Sequence, residues 1–137
     1  MGRAGLLRIA LGFGAAASMA FAYTAEQADR GQRVFSAQCA VCHGAKGQGA
    51  NVPDSFGGYA GMKAPPVAGR GALPNVQTAA NVFTFVKQHM PLHKPGSLSD
   101  QDVLDIVAFL LRANHVGKPS TEALTVEALP TIYLHIK

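Results

Sequence analysis

The stretch Cys39-Ala40-Val41-Cys42-His43 constrains this chain more than any other. Two thiols three positions apart, followed at once by an imidazole, form the attachment pattern of a c-type haem. Each thiol can add to one vinyl group of a porphyrin and form a thioether, and His43 then lies under the ring, where it can bind the iron. Because Cys39 and Cys42 are the only cysteines in 137 residues, the sequence predicts one covalently bound haem c.

Other uses of this cysteine pair fit the sequence less well. A thioredoxin-like CxxC needs a βαβ setting, and no such strand pattern surrounds it. A structural zinc site needs four ligands. His89 and His93 could in principle complete a set of four ligands with the two cysteines. Pro91 lies between them, however, and prevents one helix from presenting both histidines. A disulfide across two intervening residues would be short and strained.

The N-terminal segment has the features of a secretory signal peptide. Arg3 and Arg8 accompany an uncharged apolar run, residues 9–22, which ends in the A-x-A site Ala20-Phe21-Ala22. The run is shorter than the roughly 20 apolar residues that a membrane span needs, and an uncleaved N-terminal anchor is the alternative. We therefore expect cleavage after Ala22, export to the periplasm, and no membrane span after cleavage.

Three segments are predicted: a signal peptide (1–22), one haem-binding domain (23–113) and a C-terminal extension (114–137). After cleavage, ten basic and eight acidic residues leave a net charge of about +2. The sequence has no basic cluster with interleaved aromatic residues. The charge therefore gives no reason to expect a nucleic-acid partner, and none is predicted.

The first predicted helix is Thr24–Gln38, with Thr24 and Gln27 in the positions of a capping box. Gly31 lies inside this helix, where glycine costs about 1 kcal/mol relative to alanine. A second helix that crosses closely at Gly31 would explain that cost.

The middle predicted helix is Asn75–Gln88, with Asn75 as its cap. Its run 82–86 is β-prone, so a strand is the alternative, although fourteen residues without a breaker are long for a strand. Residues 50–74 are rich in glycine and proline and are predicted to be irregular. A loop of this length in a small domain is expected to wrap something, and a haem edge fits that role.

The last predicted helix is Asp100–Ala113, with Ser99 as its cap. Its polar stripe is so narrow that the helix is expected to be buried on two sides. One side would face the haem and the other the first helix. Phe109 is the residue expected to meet Gly31 and Phe35.

The iron needs a second axial ligand besides His43. Met90 is the first choice because it ends a predicted helix, Pro91 fixes the chain behind it, and the loop to the last helix is short. Met62 in the glycine-rich loop is the second choice. A thioether ligand raises the reduction potential, whereas a second histidine such as His89 would lower it. The remaining candidates are His93, His115 and His135.

The order of these residues resembles that of a class I mono-haem cytochrome c, over most of residues 25–113. The resemblance is carried by Gly31 and Phe35, the Cys39-x-x-Cys42-His43 motif, Pro65-x-Val67-x-Gly69, Met90-Pro91 and the helix that ends with residues 105–110. It implies an all-α fold in which three main helices and loops surround one haem. The first and last helices would cross at Gly31 and Phe109.

The same resemblance implies the site residues. The carbonyl of Pro65, or of Pro66 if the register slips, would accept a hydrogen bond from His43. His43 and Met90 would bind the iron. The full set of implied haem-binding residues is Cys39, Cys42, His43, Pro65, Val67 and Met90.

A narrower pattern from Met90 to Val103 resembles the cytochrome subunits of periplasmic dehydrogenases for sulfite, sulfur compounds or alcohols. The expected function is one-electron transfer between Fe(II) and Fe(III) with redox protein partners, without enzymatic activity of its own. The alternatives are a permanent electron-accepting subunit of a dehydrogenase and a haem sensor or enzyme with an open iron site. Four lysines at 46, 63, 87 and 94 could steer an acidic partner, and the C-terminal extension could dock one.

Overall fold

The computed structural model describes residues 21–136, and most of the predicted signal peptide lies outside them. The α-helices carry most of the regular structure, and two 3₁₀ helices lie at Asp54–Tyr59 and Val126–Thr131. The α-helices are α1 (Ala25–Gln38), α2 (Ala40–His43), α3 (Ala79–His89) and α4 (Asp100–Ala113).

Four strands of two or three residues form two small pairs. They are β1 (Phe21–Tyr23), β2 (Ala50–Asn51), β3 (Lys63–Ala64) and β4 (Lys118–Pro119). β1 runs parallel to β4, and β2 runs antiparallel to β3. The loop predicted over residues 50–74 is therefore irregular only in part, since it contains β2, β3 and the first 3₁₀ helix.

The core is built on the crossing of α1 and α4. A Cβ added to Gly31 would collide with the backbone carbonyl of Asp105, so the two helices touch through backbone at this point. Beside it, the rings of Phe35 and Phe109 lie 5.1 Å apart between centroids. The expected meeting of Phe109 with Gly31 and Phe35 is confirmed.

An ion pair between the half-exposed Arg30 and the buried Asp105 accompanies this crossing. The carboxylate of Asp105 is almost fully buried and accepts two hydrogen bonds from Arg30, at 2.9 and 3.2 Å. Gln101 donates a third, at 2.8 Å. The carboxylate is therefore compensated where it leaves water, as a buried charge requires.

The predicted start of α1 is right, but the proposed capping box is wrong. Thr24 accepts a hydrogen bond from the backbone N–H of Gln27 at 3.1 Å. The side chain of Gln27 does not return to the cap. It is buried and bonds instead to the backbone of Leu124, accepting from its N–H at 2.7 Å and donating to its carbonyl at 3.1 Å.

The middle element is a helix, but it begins later than predicted. Asn75 has φ of +65° and lies in a turn, so it is not the cap. Thr78 is the cap of α3, and it forms a capping box with Asn81. The α4 prediction is confirmed at both ends, because Ser99 caps it with Asp102 in a capping box and the helix ends at Ala113.

The predicted C-terminal extension packs on the helical domain. Leu124, Leu129 and Ile132 belong to the hydrophobic core. The Ile132 carbonyl accepts from the N–H of Ala79 at 2.9 Å, so this segment covers the start of α3. The sequence left open whether the extension lies on the domain or on a partner, and the structure has it on the domain.

Within residues 21–136, no helix is both long enough and apolar enough to cross a membrane.

Candidate haem site

A cavity of about 410 Å³ opens between the CxxCH motif, the middle loop and the segment after α3. All six residues predicted to bind the haem line it, so segments far apart in sequence meet at one place. Apolar side chains of the helices complete the wall, among them Val82, Val86, Ile106 and Leu110. An apolar cavity with a few convergent polar groups is the usual form of a cofactor site.

The two cysteines lie on the wall of this cavity with free thiols. Both are half-buried. Burial, with a smaller contribution from neighbouring Cys42, raises the pKa of the Cys39 thiol to about 11.

His43 is held in one orientation by the middle loop. Its Nδ1 lies 2.9 Å from the carbonyl oxygen of Pro65. Because a carbonyl oxygen only accepts, Nδ1 carries the proton, and in the neutral ring Nε2 then has a lone pair for a metal. A hydrogen bond of this kind fixes the ring and increases the donor strength of the free nitrogen toward a metal. The carbonyl is that of Pro65 and not of Pro66.

The loop that carries Pro65 is itself fixed from two sides. The carbonyl of Gly47 accepts hydrogen bonds from the N–H groups of Val67 and Ala68, at 2.7 and 3.0 Å. On the other side, Asn114 at the end of α4 donates to the carbonyl of Val67 at 2.9 Å and accepts from the N–H of Gly69 at 3.0 Å. The turn after the motif and the end of α4 therefore both help to hold the loop that orients His43.

Three of the candidates for the second axial ligand line the cavity: Met62, Met90 and His93. Met90 is half-buried and caps α3, and its N–H donates to the carbonyl of Val86 at 3.0 Å. Met62 is 51% exposed and lies in the loop before β3. His89 packs against Phe85 with ring centroids 4.9 Å apart and ring planes tilted by 45°. His89, His115 and His135 are not among the residues that line this cavity.

The residues present fit a covalently bound haem. The wall supplies two thiols at the right spacing, a histidine with a free Nε2, methionine sulfur and an otherwise apolar surface. Across residues 21–136, no cluster of three or more His, Cys, Asp or Glu side chains is arranged to hold a bare metal ion.

Comparisons with known proteins identify a family and several relatives. Residues 26–110 match the family described as cytochrome C oxidase, cbb3-type, subunit III. A thiosulfate dehydrogenase of Psychrobacter arcticus is 34% identical over 94 residues, which are 66% of this chain and 26% of that protein. The thiosulfate dehydrogenase of Stutzerimonas stutzeri is 38% identical over 87 residues, which are 59% of this chain and 25% of that protein.

A solved structure shares the fold. The crystal structure of the sulfane dehydrogenase SoxCD from Paracoccus pantotrophus superposes with a TM-score of 0.57 at 24% identity. The match covers 79% of this chain and 53% of that one. The chain spans about a quarter of the length of the curated relatives it matches.

Fold and site together define a mostly helical cytochrome c domain. The match extends over more than half of the sequence, so the chain belongs to the family of cbb3-type cytochrome c oxidase subunit III. Its cofactor is covalently bound haem c, and the cofactor prediction is confirmed. Membership in this family implies a role in electron transfer.

Sequence reasoning missed the contacts of two residues near the site. Asn114 was treated as the start of the extension, and Lys87 as a surface charge. Lys87 is instead engaged within the chain: its Nζ donates to the carbonyl of Leu98 at 2.8 Å and lies 2.8 Å from Asp100 Oδ1. No sequence motif marks such contacts, because both depend on how loops approach helix ends.

Proposed function

We propose that this chain is a one-electron carrier whose single haem c is bound through Cys39 and Cys42 and ligated by His43 and Met90. When bound, the haem supplies an iron that cycles between Fe(II) and Fe(III). The observation that carries the proposal is the convergence of these four residues on one apolar cavity. The three longer helices, α1, α3 and α4, with the loops between them would enclose the haem.

The chain's own residues hold and shield the site. The carbonyl of Pro65 holds the His43 ring through Nδ1 and leaves Nε2 available to bind the iron. The apolar wall excludes water from the iron. Ligands that are held firmly move little when the charge of the iron changes, and little rearrangement favours fast electron transfer.

One edge of the cavity is suited to contact with a redox partner. Its lining includes the exposed side chains of Tyr59, Met62, Phe85 and Leu92. Lys63 lies on the same lining. Lys46 and Lys94 are exposed and lie close in sequence to residues that line the cavity. Transient redox encounters typically bury less than about 1,200 Å², and an apolar patch with basic neighbours would guide an acidic partner to it.

The proposed organisation is a signal peptide (1–22), a cytochrome c domain (23–113) and a C-terminal extension (114–137), with function in the periplasm. Haem is attached to thiols outside the cytoplasm, which supports export. Mass spectrometry of the exported protein tests the boundary, because cleavage after Ala22 leaves Tyr23 as the first residue.

A second candidate function is that of a permanent electron-accepting unit in a sulfur-compound dehydrogenase. Two relatives are named thiosulfate dehydrogenase, and this chain matches about a quarter of each. A segment that corresponds to a cytochrome part of a larger enzyme would need the rest of that enzyme as a partner. Co-purification with a large subunit after affinity capture supports this candidate, whereas recovery of the chain alone supports a free carrier.

A potentiometric titration of the purified holoprotein tests the proposed function. We expect one reversible transition with the slope of a one-electron couple, and no binding of carbon monoxide by the reduced protein, because Met90 fills the second axial position. Immediate binding of carbon monoxide would support instead a sensor or enzyme with an open iron site.

A further inference from the structure

The segment that carries Met90 is held at its two ends, by the bond from the Met90 N–H to Val86 and by the Ser99 cap of α4, and has few hydrogen bonds between them. Residues 90–99, here called the Met90 segment, join α3 to α4. Within it, the N–H of Lys94 donates to the carbonyl of Pro91 at 2.8 Å, and the N–H of Ser97 donates to that of Lys94 at 3.4 Å. These two bonds form local turns and do not tie the segment to the helices.

One side chain joins the two ends of this segment. Lys87 lies in the last turn of α3, three residues before Met90. Its amino group donates to the carbonyl of Leu98 at 2.8 Å and pairs with Asp100 in the first turn of α4, also at 2.8 Å. The Lys87 side chain is 35% exposed, so its contact with the carbonyl of the buried Leu98 is partly shielded from water.

Such a contact matters because methionine is a weak ligand. A neutral thioether remains on iron only while the backbone that carries it stays in place. A hydrogen bond from a charged donor is roughly twice as strong as one between neutral groups. A contact that closes the Met90 segment at its base reduces the number of conformations in which Met90 has left the cavity.

We propose that Lys87 is a positioning residue for the second axial ligand, through its link from the end of α3 to Leu98 and Asp100. The proposal rests on the proposed ligation by Met90. Lys87 itself does not contact the iron site. It acts through the Met90 segment.

The chain offers a matched control. Lys94 lies within the Met90 segment, and its side chain is exposed. Lys94→Met removes the same charge from the same region but leaves the link between the helices intact. A difference between Lys87→Met and Lys94→Met therefore reports the link and not the charge.

The test is displacement of Met90 by imidazole in the ferric holoprotein, followed through loss of the sulfur-to-iron charge-transfer band. We expect Lys87→Met to bind imidazole about tenfold more tightly than wild type, because a hydrogen bond from a charged group is lost. Asp100→Asn removes only the exposed ion pair and should change the affinity by no more than about twofold. Lys94→Met should match wild type, and Lys87→Arg should recover most of the wild-type value.

Hydrogen exchange supplies a second readout that does not depend on imidazole. The N–H of Met90 is bonded to the carbonyl of Val86. Its exchange rate should be higher in Lys87→Met than in wild type and should be the same in Lys94→Met as in wild type. Equal imidazole affinity in Lys87→Met and wild type would overturn the proposal, as would equal gains in the two lysine variants. A wild-type spectrum without the band would overturn the ligation by Met90 itself, so the two failures are distinguishable.

Discussion

The Cα of Gly31 on α1 faces the backbone carbonyl of Asp105 on α4, and no space remains between them for a methyl group. The atoms that a side chain would meet are backbone, which cannot rotate away. The helices that frame the haem site therefore depend on glycine at this one position for their crossing distance.

Gly31→Ala should destabilise the holoprotein by about 3 kcal/mol or more, because the two helices must separate to admit the Cβ. Denaturation by urea with absorbance detection measures the loss. Gly58→Ala is the matched control, since a Cβ there meets nothing within 4 Å, and it should change stability by less than about 1 kcal/mol. Equal stability of Gly31→Ala and wild type would refute the tight crossing.

The C-terminal extension should loosen when its anchor to α1 is removed. Gln27 makes two buried hydrogen bonds to the backbone of Leu124, and their loss in Gln27→Ala leaves buried backbone groups unpaired. We expect a cost of about 1–3 kcal/mol and faster proteolysis within residues 114–137. Gln88→Ala, at an exposed position on α3, should be cut at the wild-type rate. An extension that is cut equally slowly in Gln27→Ala would contradict the packing described.

Deletion of residues 117–137 is consequently a poor test of partner docking. It would remove Leu124, Leu129 and Ile132 from the core, so weaker binding could follow from loss of fold alone. Substitution of Tyr133, which is 59% exposed, leaves the core intact and tests docking by the extension directly.

The orientation of His43 should respond to a residue that does not touch it. Asn114→Ala removes the contacts that α4 makes with Val67 and Gly69, which loosens one of the two sides on which the loop that carries Pro65 is held. The His43 ring would then be a weaker donor to iron, so the reduction potential should rise. Gln27→Ala is the control, because it also loses buried hydrogen bonds but none to residues 65–69. Equal potentials in Asn114→Ala and wild type would show that the loop is held without Asn114.

Electron exchange with an anionic reagent such as ferricyanide should depend on lysines near the cavity mouth. Lys63→Glu should slow the reaction severalfold at low ionic strength, and the difference should shrink as salt screens the charge. Lys118→Glu in β4, outside the cavity lining, should have a smaller effect. A rate that does not vary with ionic strength would argue against electrostatic steering at this edge.

The parts of the structure that sequence reasoning predicted are those encoded locally. The CxxCH spacing indicated the cofactor, the capping residues Ser99 and Asp102 fixed the start of α4, and the costly Gly31 indicated a helix crossing. The sequence offered Asn75 as the cap of α3, but Asn75 has φ of +65° in a turn, and Thr78 caps the helix in a capping box with Asn81.

The contacts that could not be predicted join residues distant in sequence. Gln27 and Leu124 are 97 positions apart, and Asn114 and Gly69 are 45 positions apart. Their hydrogen bonds depend on the three-dimensional approach of two loops to helix ends, and neither residue type nor periodicity encodes that approach.

The ferric absorption spectrum of the holoprotein tests the central claim most directly, in wild type and in Met90→Ala. Ligation by His43 and Met90 predicts a weak sulfur-to-iron charge-transfer band in the wild type, its loss in Met90→Ala, and its retention in Met62→Ala. Loss of the thioether should also lower the reduction potential of Met90→Ala. A band that is absent from the wild type, or that persists without Met90, would contradict the account.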